Sequence, residues 1–580
     1  MKTFKYCISV LATLAVVTGC NKFLDRFPTD EVSSNTVFTS GELAESAVIA
    51  AYSNILYDYT SADLDRINWD AFAGVIDPYY DNFYANYLYL NGNVQTNASI
   101  FLTYWKRLYE GINRANDIID HFGSVPDLSD DIKARRIAEC KFLRAYHYYK
   151  LNALWGGVPW YEKNLAPSEY NRPRSTEDAI WNNIIKDLTD CIDCPSLPDK
   201  IAGSSSDFGR ITKGAAYALR GKVYLWKKMY AEAEADFLAI APLGYSLLQK
   251  PYADVFKLAN ETSDEMIFSA RMVELSGWGN AFSRSYGSWQ VAGKGGNNSF
   301  YMNQQFVDSY PCADGKEFKW DNFIPGWSSM APEARSVFFL RDGLTQDEIS
   351  LMEEYGADMS QYLPSGNEAR IKAVYEARDP RLLASVITPY STYSGGFFGP
   401  ATNYTRRFPY RHDQAPQNDL RTKQNTHFYY CIRKFVAVGT ECTNETFNPV
   451  DIPIIRYAGV LLDLAEAVAG QNRPAEALAY INQVRRRAGV APYTSSEDIM
   501  DKVVKERRWE LACEEVLYYD ELRTGTWKDF RFAEGNGLAE PWGTTEYRYN
   551  WGGDAYYHWP IPSKEKEMNT NLVQNDGWLK

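Results

Sequence analysis

The chain has 580 residues, a formal charge of −13 and 15% aromatic residues, with 42 Tyr and 16 Trp but only five His. The acidic balance argues against a nucleic-acid partner, and the scarcity of histidine argues against a histidine-rich metal enzyme. The aromatic share exceeds what a core needs and points to a binding surface that stays wet, because Tyr and Trp join an apolar face to a polar tip.

Residues 1–19 read as a lipoprotein signal peptide. Lys2 and Lys5 precede an apolar run from Tyr6 to Val17, which is too short to anchor in a bilayer. The run ends in Val17-Thr18-Gly19-Cys20, a lipobox. Cleavage after Gly19 would leave Cys20 as a lipidated N-terminus, held to the membrane by about 0.8 kcal/mol per buried methylene. It would also remove two lysines and no acid, taking the charge from −13 to −15. Residues 20–40 are the lipid anchor and tether. No later stretch reaches the roughly eighteen consecutive apolar residues of a spanning helix, so the body is predicted to be soluble and tethered.

Residues 41–250 carry helical signals. Thr39-x-x-Glu42 predicts a capping box ahead of Leu43, Ala47, Val48, Ala51, Tyr52, Ile55 and Leu56. Ser175-x-x-Asp178 repeats the pattern ahead of Ile180, Trp181, Ile184, Ile185 and Leu188. Tyr217, Gly221, Tyr224, Ala233 and Phe237 fall at tetratricopeptide offsets, where small residues let two helices approach and aromatics fill the groove. Residues 251–451 differ in character, being rich in Gly, Asn, Ser, Pro and aromatics. A loop-rich insertion of this length is usually functional.

Residues 452–580 return to helix. Leu461, Leu464, Ala465, Val468, Ala477 and Ile481 repeat the tetratricopeptide spacing, with Pro474 at a first helical position. Ser495-x-x-Asp498 predicts a further helix to about Tyr519, and closing loops end in Trp559-Pro560-Ile561-Pro562. The predicted fold is predominantly α: a tetratricopeptide-like helical-repeat scaffold with a long, aromatic-rich insertion. Because the repeat is split, distant segments are predicted to pack together.

Besides Cys7 and Cys20, seven cysteines remain: Cys140, Cys191, Cys194, Cys312, Cys431, Cys442 and Cys513. An odd number cannot pair fully within one chain. Cys191 and Cys194 form a single CxxC with no histidine nearby, which favours a local disulfide or two buried thiols over zinc. No metal or cofactor is predicted. The chain has no GxSxG, HExxH, GxxxxGK[S/T] or EF-hand loop. Gly293-Lys294-Gly295-Gly296 is too short for a nucleotide loop. A pair of carboxylates could in principle serve a glycosidase, but the helical scaffold argues against it, and no enzyme activity is expected.

The candidate binding residues are aromatics outside helical periodicity. Trp69, Phe72, Tyr79, Tyr80, Phe83 and Tyr84 are interleaved with Asp70, Asp77, Asp81 and Asn82. Trp278, Phe282, Tyr286 and Trp289 are followed by Asn297 and Asn298, with Trp320 and Trp327 beyond. Tyr390, Tyr393, Phe397 and Phe398 form a weaker group. Sugar recognition needs this mixture of flat faces for stacking and short polar groups for hydroxyls, and Trp69, Trp278 and Trp289 are the preferred anchors. The competing reading is that these aromatics pack the loops onto the scaffold.

The sequence resembles the SusD/RagB family of Bacteroidetes nutrient-uptake lipoproteins over essentially its whole mature length. Phe23-Leu24-Asp25 with Pro28 resembles the family's opening, and Trp105, Tyr109, Gly111, Ile112, Asn113, Ala115 and Asn116 match its first helical signature. Ala138-Glu139, Phe142-Leu143-Arg144-Ala145 and Gly156-Gly157-Val158-Pro159 match its most specific segment. Gly209-Arg210, Asp314-Gly315, Arg378-Asp379-Pro380-Arg381, Ile452-Pro453 with Arg456-Tyr457, and Ala465-Glu466-Ala467 continue in order. Glu506-Arg507, Glu510-Leu511, Asp520, Leu522-Arg523, Pro560-Ile561-Pro562 and Gln574-Asn575 complete the series.

The resemblance implies a lipid-anchored, cell-surface protein of the outer membrane. It would bind oligo- or polysaccharide and act as a lid over a SusC-like TonB-dependent transporter, without covalent chemistry. A peptide ligand, or a structural lid of weak affinity, are the alternatives. Only Asp25 supplies an acid close behind Cys20, so outer-leaflet placement rests on the resemblance. The signature residues Glu139, Arg144, Glu506, Arg507 and Glu510 read as scaffold, not as ligand contacts.

Overall fold

A computed structural model of the chain describes residues 34–60, 67–78, 92, 94–287, 299–395, 402–405, 430–437, 441, 444, 446–533, 537–543 and 545–578. The lipobox and Cys20 lie outside them. Among the described residues no helix is long and apolar enough to cross a membrane.

The N-terminal half is a stack of antiparallel helices: α1 (Gly41–Ser53), α2 (Ser99–His121), α3 (Asp130–Trp155), α4 (Glu177–Asp193), α5 (Lys213–Trp226) and α6 (Tyr230–Leu238). The two predicted N-caps are each one residue early. Ser40, not Thr39, accepts from the Leu43 N–H at 3.5 Å, because the Thr39 hydroxyl is turned back onto the Thr36 carbonyl at 2.7 Å. Thr176, not Ser175, accepts from the Ala179 N–H at 3.2 Å.

The tetratricopeptide pair is α5–α6. A Cβ on Gly221 would stand 2.5 Å from the Phe237 ring, so glycine sets the closeness of the crossing. Its second copy is α8 (Tyr457–Gly470) with α9 (Pro474–Ala488), and Pro474 is the first helical residue as predicted. Distant segments do meet: α6 packs on α8, Gly470 lies against the Tyr230 ring, and Arg473 pairs with Glu234 at 2.7 Å. Between these pairs, in sequence, lies the short helix α7 (Phe282–Tyr286).

The helix predicted from Ser495 to Tyr519 is broken. Ser495 accepts from the Glu497 N–H instead of capping, and α10 begins at Ile499 and stops at Leu511. A tight loop with Cys513 and Glu515 at φ +64° and +63° precedes α11 (Leu517–Thr524). Asp70 holds that loop, its two carboxylate oxygens accepting from the Cys513 and Glu515 N–H groups at 3.1 and 2.8 Å.

The short strands come mainly from the insertion, with partners at 76–78 and 452–456 outside it. β1 (Ile76–Pro78), β3 (Phe300–Met302), β7 (Cys431–Ile432) and β4 (Val386–Ile387) form one antiparallel sheet in that spatial order. β2 (Met266–Ala270) pairs with β8 (Ile452–Arg456), and β5 (Thr392–Gly395) with β6 (Thr402–Thr405).

The signature residues build the interior. Arg381, Arg456, Arg485, Arg487 and Lys434 meet Glu265, Asp379, Glu506, Glu510 and Glu514 in a continuous network of almost fully buried side chains. Five cations face five carboxylates. Arg144 clamps Asp187 with two bonds of 2.7 and 2.8 Å, and also reaches Asn116. Glu139 receives Arg135, Arg136 and Arg210. Six described cysteines are free thiols, Cys191 and Cys194 among them, so the CxxC is not a disulfide. Cys442 lies outside the described residues.

Candidate glycan-binding face

The helix α7 gathers the roots of the insertion. The Ala281 N–H, at the start of this helix, donates to the Tyr59 carbonyl at 3.2 Å. The Tyr286 hydroxyl accepts from Asn68 at 2.6 Å and donates to Glu515 at 2.9 Å. Ser283 accepts from the Ala437 N–H at 3.0 Å and from Asn448 at 2.7 Å. Pro78 pairs with Phe300 across β1 and β3, so the chain leaves for 79–91 beside the point where it returns from 288–298. The segments 79–91 and 288–298 of the two main aromatic clusters therefore attach at neighbouring ends of β1 and β3. Tyr79, Tyr80, Asp81, Asn82, Tyr84, Trp289, Asn297 and Asn298 lie outside the described residues.

The described candidates divide sharply by exposure. Trp69 is 1% exposed. Its indole stacks on Tyr518 and Trp559, each at 5.8 Å, and meets Tyr104 edge-on at 5.2 Å and Tyr519 at a tilt at 5.1 Å. No ring face is left for a sugar, so Trp69 is a core residue and not an anchor. Asp70 is equally buried and committed to the 512–516 loop; burial, then the neighbouring Glu515, pushes its carboxyl well above the usual range. Tyr286 is buried, with its hydroxyl engaged. Trp320 and Trp327 stack on each other at 4.4 Å and 16°, inside a cluster with Phe339, and are also core. These rings pack among other side chains, Trp69 on Tyr518 and Trp559 from the far end of the chain, and Trp320 and Trp327 on each other and on Phe339.

Trp278 is the exception, at 44% exposed. It closes a tight turn in which the Val273 N–H donates to the Trp278 carbonyl at 3.0 Å. Gly277, at φ +80°, lets the chain reverse, and Gly279 lies so close to Phe447 that a Cβ would meet its backbone at 2.5 Å. Val273 and Leu275 on the same turn are 50% and 61% exposed. Sequence reasoning missed these two neighbours; their signal was a pair of apolar residues beside Gly277-Trp278-Gly279 in an otherwise polar stretch.

The same 430–450 stretch that seats this turn also walls a cleft of about 380 Å³. Phe256, Tyr393, Thr388, Ser391, Thr392 and Arg433 are in its lining. Burial pushes the Arg433 guanidinium down, and Glu441 opposes that shift. Tyr393 comes from the third aromatic group, while Tyr390 is buried with its hydroxyl on the Phe339 carbonyl. Phe397 and Phe398 lie outside the described residues. The turn offers one open ring face for C–H stacking, that of Trp278, and the cleft offers the accessible hydroxyls of Ser391 and Thr392 for hydrogen bonds. Among the described residues, no group of three or more His, Cys, Asp or Glu is placed to hold a metal ion.

The sequence profile described as the SusD family matches residues 264–578. The chain belongs to the SusD family. A second profile, described as starch-binding associating with outer membrane, matches residues 22–225. SusD-like protein P25 of Formosa agariphila is 26% identical, over 96% of this chain and 95% of its own. A SusD-like carbohydrate-binding protein from Bacteroides fragilis superposes with a TM-score of 0.69 at 22% identity, over 93% of this chain and 100% of its own. A laminarin-binding SusD-like protein gives 0.57 at 22% identity, with 93% and 100% covered. A structure with xylogluco-oligosaccharide gives 0.65 at 19% identity, with 91% and 97% covered. The SusD fold, helical and tetratricopeptide-like, is thereby shared along nearly the whole chain.

Proposed function

We propose that this SusD-family chain is a cell-surface glycan-binding lipoprotein that captures oligo- or polysaccharide and delivers it to a SusC-like TonB-dependent transporter. Trp278 carries the glycan reading. A large aromatic held open at the tip of a rigid turn costs solvation unless a ligand covers it, and its flat face suits a pyranose ring. Neighbours of the same fold that bind laminarin or hold a xylogluco-oligosaccharide support it. The chain acts by binding alone, without covalent chemistry. Affinity electrophoresis of residues 21–580 through gels containing laminarin, xyloglucan or starch tests this. Retardation in at least one gel is expected; unchanged mobility in a broad polysaccharide panel, with a peptide bound instead, would sink it.

Lipidation at Cys20 supplies the anchor in this reading. Cys20→Ala is expected to abolish fatty-acid labelling and release the protein from the outer-membrane fraction. Full labelling of that variant would rule out the assigned anchor.

A further inference from the structure

A second cleft, of about 490 Å³, lies on the helical scaffold, built by other elements than the loop-rich insertion. Its walls are the middle of α2, the chain following the Gly156-Gly157 turn, and the C-terminal stretch around Glu565 to Leu572. Four rings, Trp105, Tyr109, Tyr161 and Tyr170, are in the lining; Trp105 and Tyr161 are buried behind it, and the half-buried Tyr109 and Tyr170 present the accessible ring surface. They touch in series, with centroids 5.1 Å apart for Trp105–Tyr109, 5.9 Å for Tyr109–Tyr161 and 5.0 Å for Tyr161–Tyr170.

The three phenols are fixed by their hydroxyls. Tyr109 donates to the Pro159 carbonyl at 2.8 Å, Tyr161 donates to the Tyr170 carbonyl at 3.1 Å, and Tyr170 accepts from the Leu165 N–H at 3.1 Å. Rings locked in this way lose little entropy when a ligand covers them. Their hydroxyls are already engaged, so polar recognition falls to other groups in the lining.

Two of those groups are acceptors without a donor. The side-chain oxygen of Asn113 is buried and receives no hydrogen bond. The Glu565 carboxylate is half-buried, and none of the side-chain hydrogen bonds or ion pairs around it reaches it; burial raises its carboxyl, with Lys106 opposing. The ligand that fits therefore brings donors and an apolar face. The two cations of the lining, Lys106 and Arg114, are matched by two carboxylates, Glu565 and Glu110, the latter ion-paired with Arg114, so the cleft offers no net charge to attract an ion. A neutral sugar meets all of these conditions.

We infer that the Trp105–Tyr109–Tyr161–Tyr170 cleft is a second saccharide site, taking a short neutral sugar unit separately from the Trp278 face. The inference extends the glycan reading but rests on its own residues. Saturation-transfer NMR of laminaribiose, cellobiose and maltose tests it, with wild type, Trp278→Ala, Glu565→Gln and Tyr170→Ala, each checked for an unchanged melting temperature. At least one disaccharide is expected to bind the Trp278→Ala protein, with about tenfold weaker binding once Glu565→Gln or Tyr170→Ala is added. Absence of signal from every disaccharide, or binding indifferent to both cleft substitutions, overturns the second site. Polysaccharide retention that survives while the cleft is silent would leave the main reading intact. A cleft-dependent signal without any polysaccharide retention would do the reverse.

Discussion

Glu510→Gln is expected to lower the unfolding free energy by about 3–5 kcal/mol, far more than a surface substitution. Glu510 accepts from Arg381 at 3.0 Å and Arg456 at 2.7 Å, and is bonded closely by Arg487. All four side chains are about 1% exposed or less. Removing one carboxylate leaves five buried cations facing four anions, and the unmatched charge cannot be hydrated without opening the interior. The double substitution Glu510→Gln with Arg487→Met restores the balance and is expected to recover part of the loss, a coupling that denaturant melts of the four proteins would measure. An uncoupled, additive result would show that the network does not act as a unit.

The same residue gives a pH signature. Burial opposes its ionisation, but Arg487, Arg456 and Arg381 outweigh that and hold the Glu510 carboxyl at about 2, below its ordinary 4.5. A depressed folded-state value stabilises the fold above the unfolded value, and the contribution is lost as pH falls through the folded one. The stability gap between wild type and Glu510→Gln is therefore expected to be full at neutral pH and to close between about 4.5 and 2. A gap that stays constant across that window contradicts the assignment.

Trp69→Ala is expected to cost about 3–5 kcal/mol of stability through the cavity it leaves, whereas Trp278→Ala is expected to leave the melting temperature unchanged. Trp69 sits among five aromatic side chains, while Trp278 is nearly half exposed on a turn held by backbone bonds. Thermal melts of the two variants separate a core tryptophan from a surface one. Any weakening of glycan binding by Trp69→Ala should accordingly track the fraction unfolded. Equal melting temperatures for the two variants would contradict the division.

The contrast between these tryptophans shows where sequence reasoning reaches. The helical scaffold is legible because its information is local: Gly221 and Phe237 meet within a single helix pair, and Pro474 marks its helix start by its own chemistry. The four-stranded sheet is not, because β4 and β7 have two residues each, and β1, from outside the insertion, finds its partner β3 more than two hundred residues on. Trp69 and Trp278 stand in equally polar, aromatic surroundings in the chain. What buries the first is Tyr518, Tyr519 and Trp559, from the far end of the sequence. The family signature was readable as scaffold, but its burial was not, since spacing along a helix does not distinguish a solvated ion pair from an interior one. Asp70 failed as a candidate for the same reason, its partner loop lying at 512–516.

The central claim is glycan capture through an open aromatic face. The most direct measurement runs wild type and Trp278→Ala side by side through the gel that retards the wild-type ectodomain, with melting temperatures recorded for both. The expected result is retention of the wild type and restored mobility of the variant at an unchanged melting temperature. Retention that is indifferent to Trp278, or no retention of the wild type by any polysaccharide, would contradict it.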